Sequence, residues 1–135
     1  MSVTKLPQTV LLDTNFLLAP HRFHVDIFTE IETALQDKVE FVVTTTVLDE
    51  IDKLIKESNP KFRKELQLAK TFSKQCRVIQ VLLRPGESVD DSLVRVAEDG
   101  NYIVATSDIN LRRMLRKAGV KTLALRQRRY IELVG

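Results

Sequence analysis

Four acidic residues in this 135-residue chain stand where a carboxylate could do chemistry: Asp13, Glu50, Asp90 and Asp108. Asp13 follows the apolar run Val10-Leu11-Leu12, and Asp108 follows Tyr102-Ile103-Val104-Ala105-Thr106-Ser107. Both combine an apolar stretch, an acid and small polar neighbours. Glu50 and Asp90 fall in what reads as the first turns of two other helical segments. Four carboxylates brought to one place repel each other unless cations hold them. Oxygen-only ligation suits hard divalent ions, magnesium or manganese. Such ions engage phosphate oxygens, lower the pKa of a bound water and stabilise charge on attacking and leaving oxygens. The set therefore points to metal-dependent phosphodiester hydrolysis. Taken singly, each acid has an ordinary structural reading too, as a turn residue, a helix cap or a partner of a helix N-terminus.

The elements that must position these acids follow from local pattern. A continuous apolar run such as Val10-Leu11-Leu12 reads as a strand buried on both faces, and parallel sheets bind ligands at the carboxyl ends of such strands. Pro20 argues against a long helix after Asp13, so a short turn and loop are predicted there, with His21 and His24 as loop residues. Val25, Ile27, Phe28, Ile31, Ala34 and Leu35 recur at helical spacing, which predicts a helix over 25–36. The β-branched and aromatic stretch Val39–Thr44 predicts the second strand. Thr44-Thr45-Thr46 offers N-cap hydroxyls, and Thr46-x-x-Asp49 resembles a capping box, while Val47, Ile51, Leu54 and Ile55 mark a buried helical face.

Asn59-Pro60 starts another helix, with Phe62, Leu66, Ala69 and Phe72 inward. Residues 77–83 read as a strand near a sheet edge, and Pro85-Gly86 as a turn. Ser88-x-x-Asp91 is a second capping box, which leaves Asp90 without a structural duty. Asp99-Gly100 is expected to close that helix, with Gly100 at positive φ. A strand over 102–106, a helix over Ile109–Lys117 stopped by Ala118-Gly119, a strand over 122–125 and a final short strand over Tyr130–Val134 complete the chain. Strands alternating with helices give an α/β sandwich around a mostly parallel sheet with right-handed crossovers.

Composition narrows the setting. The length suits one domain over 1–135 with a core of its own. No apolar run approaches the roughly 20 residues of a membrane span, and the opening residues show no export signal. One cysteine, Cys76, excludes an internal disulfide and a cysteine zinc site, and a cytoplasmic setting is expected. A net charge of +3 and a pI of about 9.1 are compatible with a polyanionic partner.

Leu11-Leu12-Asp13-Thr14-Asn15, Val47-Leu48-Asp49-Glu50-Ile51, Val89-Asp90-Asp91-Ser92-Leu93 and Ile103-Val104-Ala105-Thr106-Ser107-Asp108, in that order, resemble the PIN-domain ribonucleases over essentially the whole chain. Asp90-Asp91 and Ile103-Val104-Ala105-Thr106 are most similar to the ribosomal-RNA-processing branch and its compact archaeal-type relatives; the VapC toxin branch shares the same acids. The resemblance implies a three-layer Rossmann-like sandwich with a mostly parallel central sheet, and an acidic cluster that binds Mg2+ or Mn2+ and hydrolyses single-stranded or looped RNA. The family's first Asp, helix Glu and two later Asp residues fall on Asp13, Glu50, Asp90 and Asp108. Spacing and capping favour Asp90 for the third position, with Asp91 the alternative ligand. Asn15, Thr106 and Asn110 stand beside these acids as supporting groups or minor ligands. The resemblance also implies a homodimer, with an antitoxin or a ribosome-assembly factor as partner according to branch.

Substrate handling falls to basic residues. Arg112, Arg113, Arg116 and Lys117 follow Asp108 on one helix, and Arg126, Arg128 and Arg129 lie further on; such side chains contact phosphates and make binding fall with salt. Lys61, Arg63 and Lys64 read equally well as a solvated helix face. Phe16 and Tyr130 could stack on a base, but burial preference favours packing for both. Two other classes compete with the nuclease. A non-enzymatic RNA-binding or assembly module could use the same fold, and would bind RNA without turnover. A receiver-like signalling domain would want paired acids at the first strand and a phosphoacceptor Asp on a central one, whereas here the first strand offers Asp13 alone and the second ends in threonines. No Gly-rich phosphate loop follows the first strand.

Overall fold

The computed structural model describes residues 7–135; the opening segment read above for export signals lies outside them. Six strands among these residues form one sheet: β1 (Gln8–Leu12), β2 (Val39–Thr44), β3 (Arg77–Ile79), β4 (Ile103–Ala105), β5 (Thr122–Arg126) and β6 (Tyr130–Val134). Their order is β3-β2-β1-β4-β5-β6, parallel throughout except for the antiparallel β5–β6 pair. Val10, Leu11 and Leu12 of β1 are all fully buried, so both sheet faces are covered, as a parallel sheet requires. The chain leaves β1 toward β2 and β3, then returns to β4 on the other side of β1. The crevice between the carboxyl ends of β1 and β4 is thus the topological switch point, where such sheets hold ligands.

Among the described residues, six helices flank the sheet: α1 (Thr14–Phe23), α2 (Ile27–Leu35), α3 (Thr45–Glu57), α4 (Pro60–Ser73), α5 (Val89–Gly100) and α6 (Ile109–Lys117). Several start as their sequences predict. Asn59 caps α4 with Pro60 in its first turn, and Ser88 and Asp91 form the reciprocal capping box of α5. The core joins β1, β2, β4 and β5 to the inward faces of the helices, with Phe16, Leu17, Ile31, Ile51, Leu66, Leu93 and Leu111 among its fully buried side chains.

Five local expectations are corrected. The segment after Asp13 is helix α1, not a turn and loop, and Pro20 lies inside it, which puts His21 in the helix and His24 at its left-handed C-cap. An interior proline costs about 3 kcal/mol, but Phe16, Leu17 and Leu18 are buried and each contributes roughly 1.5–3 kcal/mol. Burial wins.

The cap of α3 is Thr44, the last residue of β2, whose hydroxyl accepts from the Val47 amide at 3.2 Å, so Thr46 and Asp49 form no capping box. The third strand stops at Ile79, because its partner β2 ends opposite it at Thr44. Beyond it, the Val81 amide and carbonyl are both satisfied by the Thr45 hydroxyl at 2.9 and 3.1 Å. Asn101, at φ 55°, supplies the left-handed close of α5 that was expected of Gly100. A Cβ on Gly100 would instead meet the Tyr102 ring at 2.7 Å, so the glycine leaves room for that ring against the helix end. Tyr130 is 42% exposed and does not pack into the core, unlike the fully buried Phe16.

Candidate active site

Asp13 stands at the end of β1, where the chain turns into α1, and is only 5% exposed. Its Oδ1 accepts from the Phe16 amide at 2.9 Å, which makes it the N-cap of α1. Its Oδ2 accepts from the buried Thr106 hydroxyl, one residue past the neighbouring strand β4. The same Thr106 oxygen accepts from the Asp108 amide at 3.0 Å. One hydroxyl therefore ties together the two acids of the switch point. Asp108 is itself the N-cap of α6, its Oδ1 accepting from the Asn110 and Leu111 amides at 2.8 and 3.1 Å.

Glu50 approaches from the other side. Because α3 begins directly off β2 at Thr45, Glu50 lies in the second helical turn rather than the first. Its Oε1 accepts from the Thr14 hydroxyl at 2.8 Å, a link from α1 to α3. Asp90 is the second residue of α5, beside the capping box. The neighbouring Asp91 turns back to the Ser88 amide at 3.1 Å. A buried hydroxyl chain, Thr44 to Thr46 at 2.7 Å and Thr46 to Ser92 at 3.3 Å, joins the starts of α3 and α5.

Asp13, Glu50, Asp90 and Asp108 line one cavity of about 240 Å³, with Thr14 and Asn15 beside them. The sequence-derived quartet is brought together; Asp91, Thr106 and Asn110 are not among the lining residues. Burial pushes the Asp13 carboxyl up to about 7 from 3.8; the hydrogen bonds from Thr106 and Phe16 oppose the rise, and the charges of Asp90 and Asp108 add to it. Asp90 is raised as well, by burial first and then by the charges of Asp108, Glu50 and Asp91. The acids thus feel one another across the cavity, the electrostatic condition under which a cation is welcome. Among the described residues, no three acid, histidine or cysteine side chains are gathered tightly enough to hold one ion between them.

The rest of the wall is apolar: Leu18 from α1, Val47 and Leu54 from α3, Phe62 from α4, and Val89 and Leu93 from α5. Sequence reasoning gave Val47, Leu54 and Phe62 to helix packing, and missed both the place of these residues in the site and the Thr14–Glu50 link. Only Thr14 carried a signal, through its position next to Asp13. The basic residues go elsewhere. Arg112, Arg113 and Arg116 line a separate groove with Ile109, Val120 and Thr122, and Arg128 lies over the Phe23 ring at 5.4 Å. Lys117 is exposed at the end of α6. His21 and His24 are exposed and do not line the cavity.

The family model for a PIN-like domain matches residues 10–128, from the middle of β1 to the turn before β6. The chain belongs to the PIN-like domain family. This PIN domain is 28% identical to Ribonuclease VapC4 of Methanocaldococcus jannaschii over 93% of its own length and 96% of that protein's. It is 36% identical to the rRNA-processing protein FCF1 of Saccharomyces cerevisiae over 84% of its length, but spans only 57% of that longer protein. Among solved structures, that of the PIN domain endonuclease Utp24 superposes with a TM-score of 0.75 at 29% identity, covering 94% of this chain and 91% of that one. The α/β architecture with a mostly parallel six-stranded sheet is thus that of PIN-domain structures, and the relatives' names place the chain in a nuclease family.

Proposed function

We propose that this PIN domain is a divalent-metal-dependent endoribonuclease that hydrolyses phosphodiester bonds in single-stranded or looped RNA. The observation that carries the reading is that Asp13, Glu50, Asp90 and Asp108, from four separate places in the chain, line one cavity at the switch point of the sheet. The donor set is oxygen only, carboxylates with a hydroxyl and an amide nearby, which fits Mg2+ or Mn2+ and not a soft metal. When bound, such an ion supplies charge stabilisation at the phosphate and a water of lowered pKa. The chain's own groups supply orientation. Thr106 and the Phe16 amide hold Asp13, the first amides of α6 hold Asp108, and Thr14 holds Glu50. Asp90 stands unencumbered by the capping box next to it. Leu18, Leu54 and Leu93 narrow the water-accessible volume around the acids.

Arg112, Arg113, Arg116, Lys117 and Arg128 extend the reading to the RNA backbone outside the cavity, as phosphate contacts. Two cellular roles accord with the relatives: ribosomal RNA processing, or a VapC-type toxin with an antitoxin partner. We take the working unit as a homodimer, which light scattering in solution would test. Cleavage of an RNA panel with manganese, magnesium or chelator tests the activity, and cut positions in total RNA divide the two roles. RNA binding without turnover under every metal would leave a non-enzymatic RNA-binding module instead.

A further inference from the structure

We infer that the α4 side of the cavity, Phe62 with Arg22 over it, is a docking site for the nucleobase next to the scissile phosphate; the inference rests on the endoribonuclease reading above. An ion and a phosphodiester are polar, and the acids suffice for them. An apolar wall facing those acids has no partner in either. A nucleoside does need one, because its base presents a flat π-face. Phe62 is the one aromatic side chain among the residues lining the cavity. It is half-buried, whereas Leu18 and Leu93 on the same wall are almost fully buried.

The ring is held in advance. Phe62 lies in the first turn of α4, and its amide is fixed by the Asn59 side chain at 2.9 Å. The Arg22 guanidinium lies 5.6 Å from the ring centroid, within cation–π range, and Arg22 Nε donates to Glu65 at 3.0 Å. An aromatic platform fixed this way loses little entropy when a base packs on it. The Arg22 side chain, 39% exposed and paired with Glu65, stays outside the cavity lining and serves to hold the ring. Stacking needs an unpaired base, so this site selects single-stranded or splayed RNA over duplex, and tolerates many sequences.

The test is a cycle between protein and RNA. Oligoribonucleotides in which one abasic position is walked across the cut site are cleaved by the unaltered protein, Phe62→Leu and Phe62→Tyr. Leucine keeps the apolar packing of α4 and removes the π-face; tyrosine keeps the ring. The expected result is one abasic position that raises KM about 5- to 100-fold with the unaltered protein and with Phe62→Tyr, the size of a lost base–aromatic stack. Phe62→Leu should show a similar KM on intact RNA, little change in kcat, and no further penalty from the abasic position. An abasic penalty as large with Phe62→Leu as with the unaltered protein overturns the inference, as does a full set of abasic RNAs cut as well as the intact strand. If Phe62→Leu fails to fold, the abasic walk on the unaltered protein and Phe62→Tyr decides alone. Anisotropy of the same RNAs on the Asp108→Asn protein separates this claim from the nuclease reading. Base-dependent binding with no cleavage by the unaltered protein overturns the nuclease and keeps the docking site, whereas cleavage indifferent to the base does the reverse.

Discussion

Asp13 is fixed by the Phe16 amide and the Thr106 hydroxyl in a place where burial disfavours its charge. Its folded pKa of about 7 lies above the ordinary 3.8. Between those values the folded state binds more protons than the unfolded one, so the metal-free protein loses stability as pH rises from about 4 to 7. Asp13→Asn keeps an N-capping side chain and has no charge to bury. The variant should therefore lose cleavage and yet melt higher than the parent at pH 7 in chelator, with the gap closing toward pH 4. Thermal melts across that range check it, and an equal pH slope in the variant would refute it. Thr106 makes a second residue-scale test. Thr106→Val preserves shape but releases Asp13 and leaves the Asp108 amide without its acceptor. If the ion sits among these acids, the metal concentration for half-maximal cleavage should rise about 10- to 100-fold, the usual cost of losing a ligand's supporting hydrogen bond. An unchanged metal titration would remove Thr106 from the site.

Asp90 and Asp91 are adjacent in sequence, and the start of α5 commits only Asp91 to the capping box. Ser88 and Asp91 close the capping box, so Asp91→Ala should lower stability by about 0.5–2 kcal/mol while cleavage persists. Asp90→Asn should do the opposite, abolishing cleavage with no loss of melting temperature, since burial and the neighbouring acids disfavour its charge. Paired melts and activity assays check this, and loss of cleavage only on the Asp91 side would reassign the ligand. The capping role of Asp91 was legible in the sequence because the box pattern at Ser88 is complete. The same pattern at Thr46 misled, because β2 runs straight into α3 and its last residue, Thr44, already caps the helix. Pro20 misled for another reason: a local rule was outweighed by the burial of Phe16, Leu17 and Leu18, which no local rule can weigh. The close of α5 was expected at Gly100 and falls one residue later, on Asn101, while the glycine leaves room for the Tyr102 ring.

At the scale of the whole molecule, alternation of apolar strands with capped helices was enough to read the parallel sheet. With it came the meeting of Asp13 and Asp108, because strand ends in such a sheet share one edge. Contacts that depend on how helices lie against each other were not legible: Thr14 with Glu50, Thr46 with Ser92, and Leu54 and Phe62 in the cavity wall. The cations that follow Asp108 line a groove of their own and not the acidic cavity. Arg116 lies eight residues beyond Asp108 on a helix rising 1.5 Å per residue, so it stands about 12 Å along the axis. Neutralising Arg112, Arg113 and Arg116 should thus weaken RNA binding and flatten its salt dependence by about 0.7 in log–log slope per lost phosphate contact, with kcat retained. Equal slopes in variant and parent would place the RNA path elsewhere. The central claim is that the four acids form one hydrolytic site. It is tested most directly by cleavage of a mixed structured and single-stranded RNA panel in manganese, magnesium or chelator, with the Asp108→Asn protein alongside. The account requires cuts that need the metal and vanish in the variant; equal cutting by Asp108→Asn, or no cutting by the parent in either metal, would contradict it.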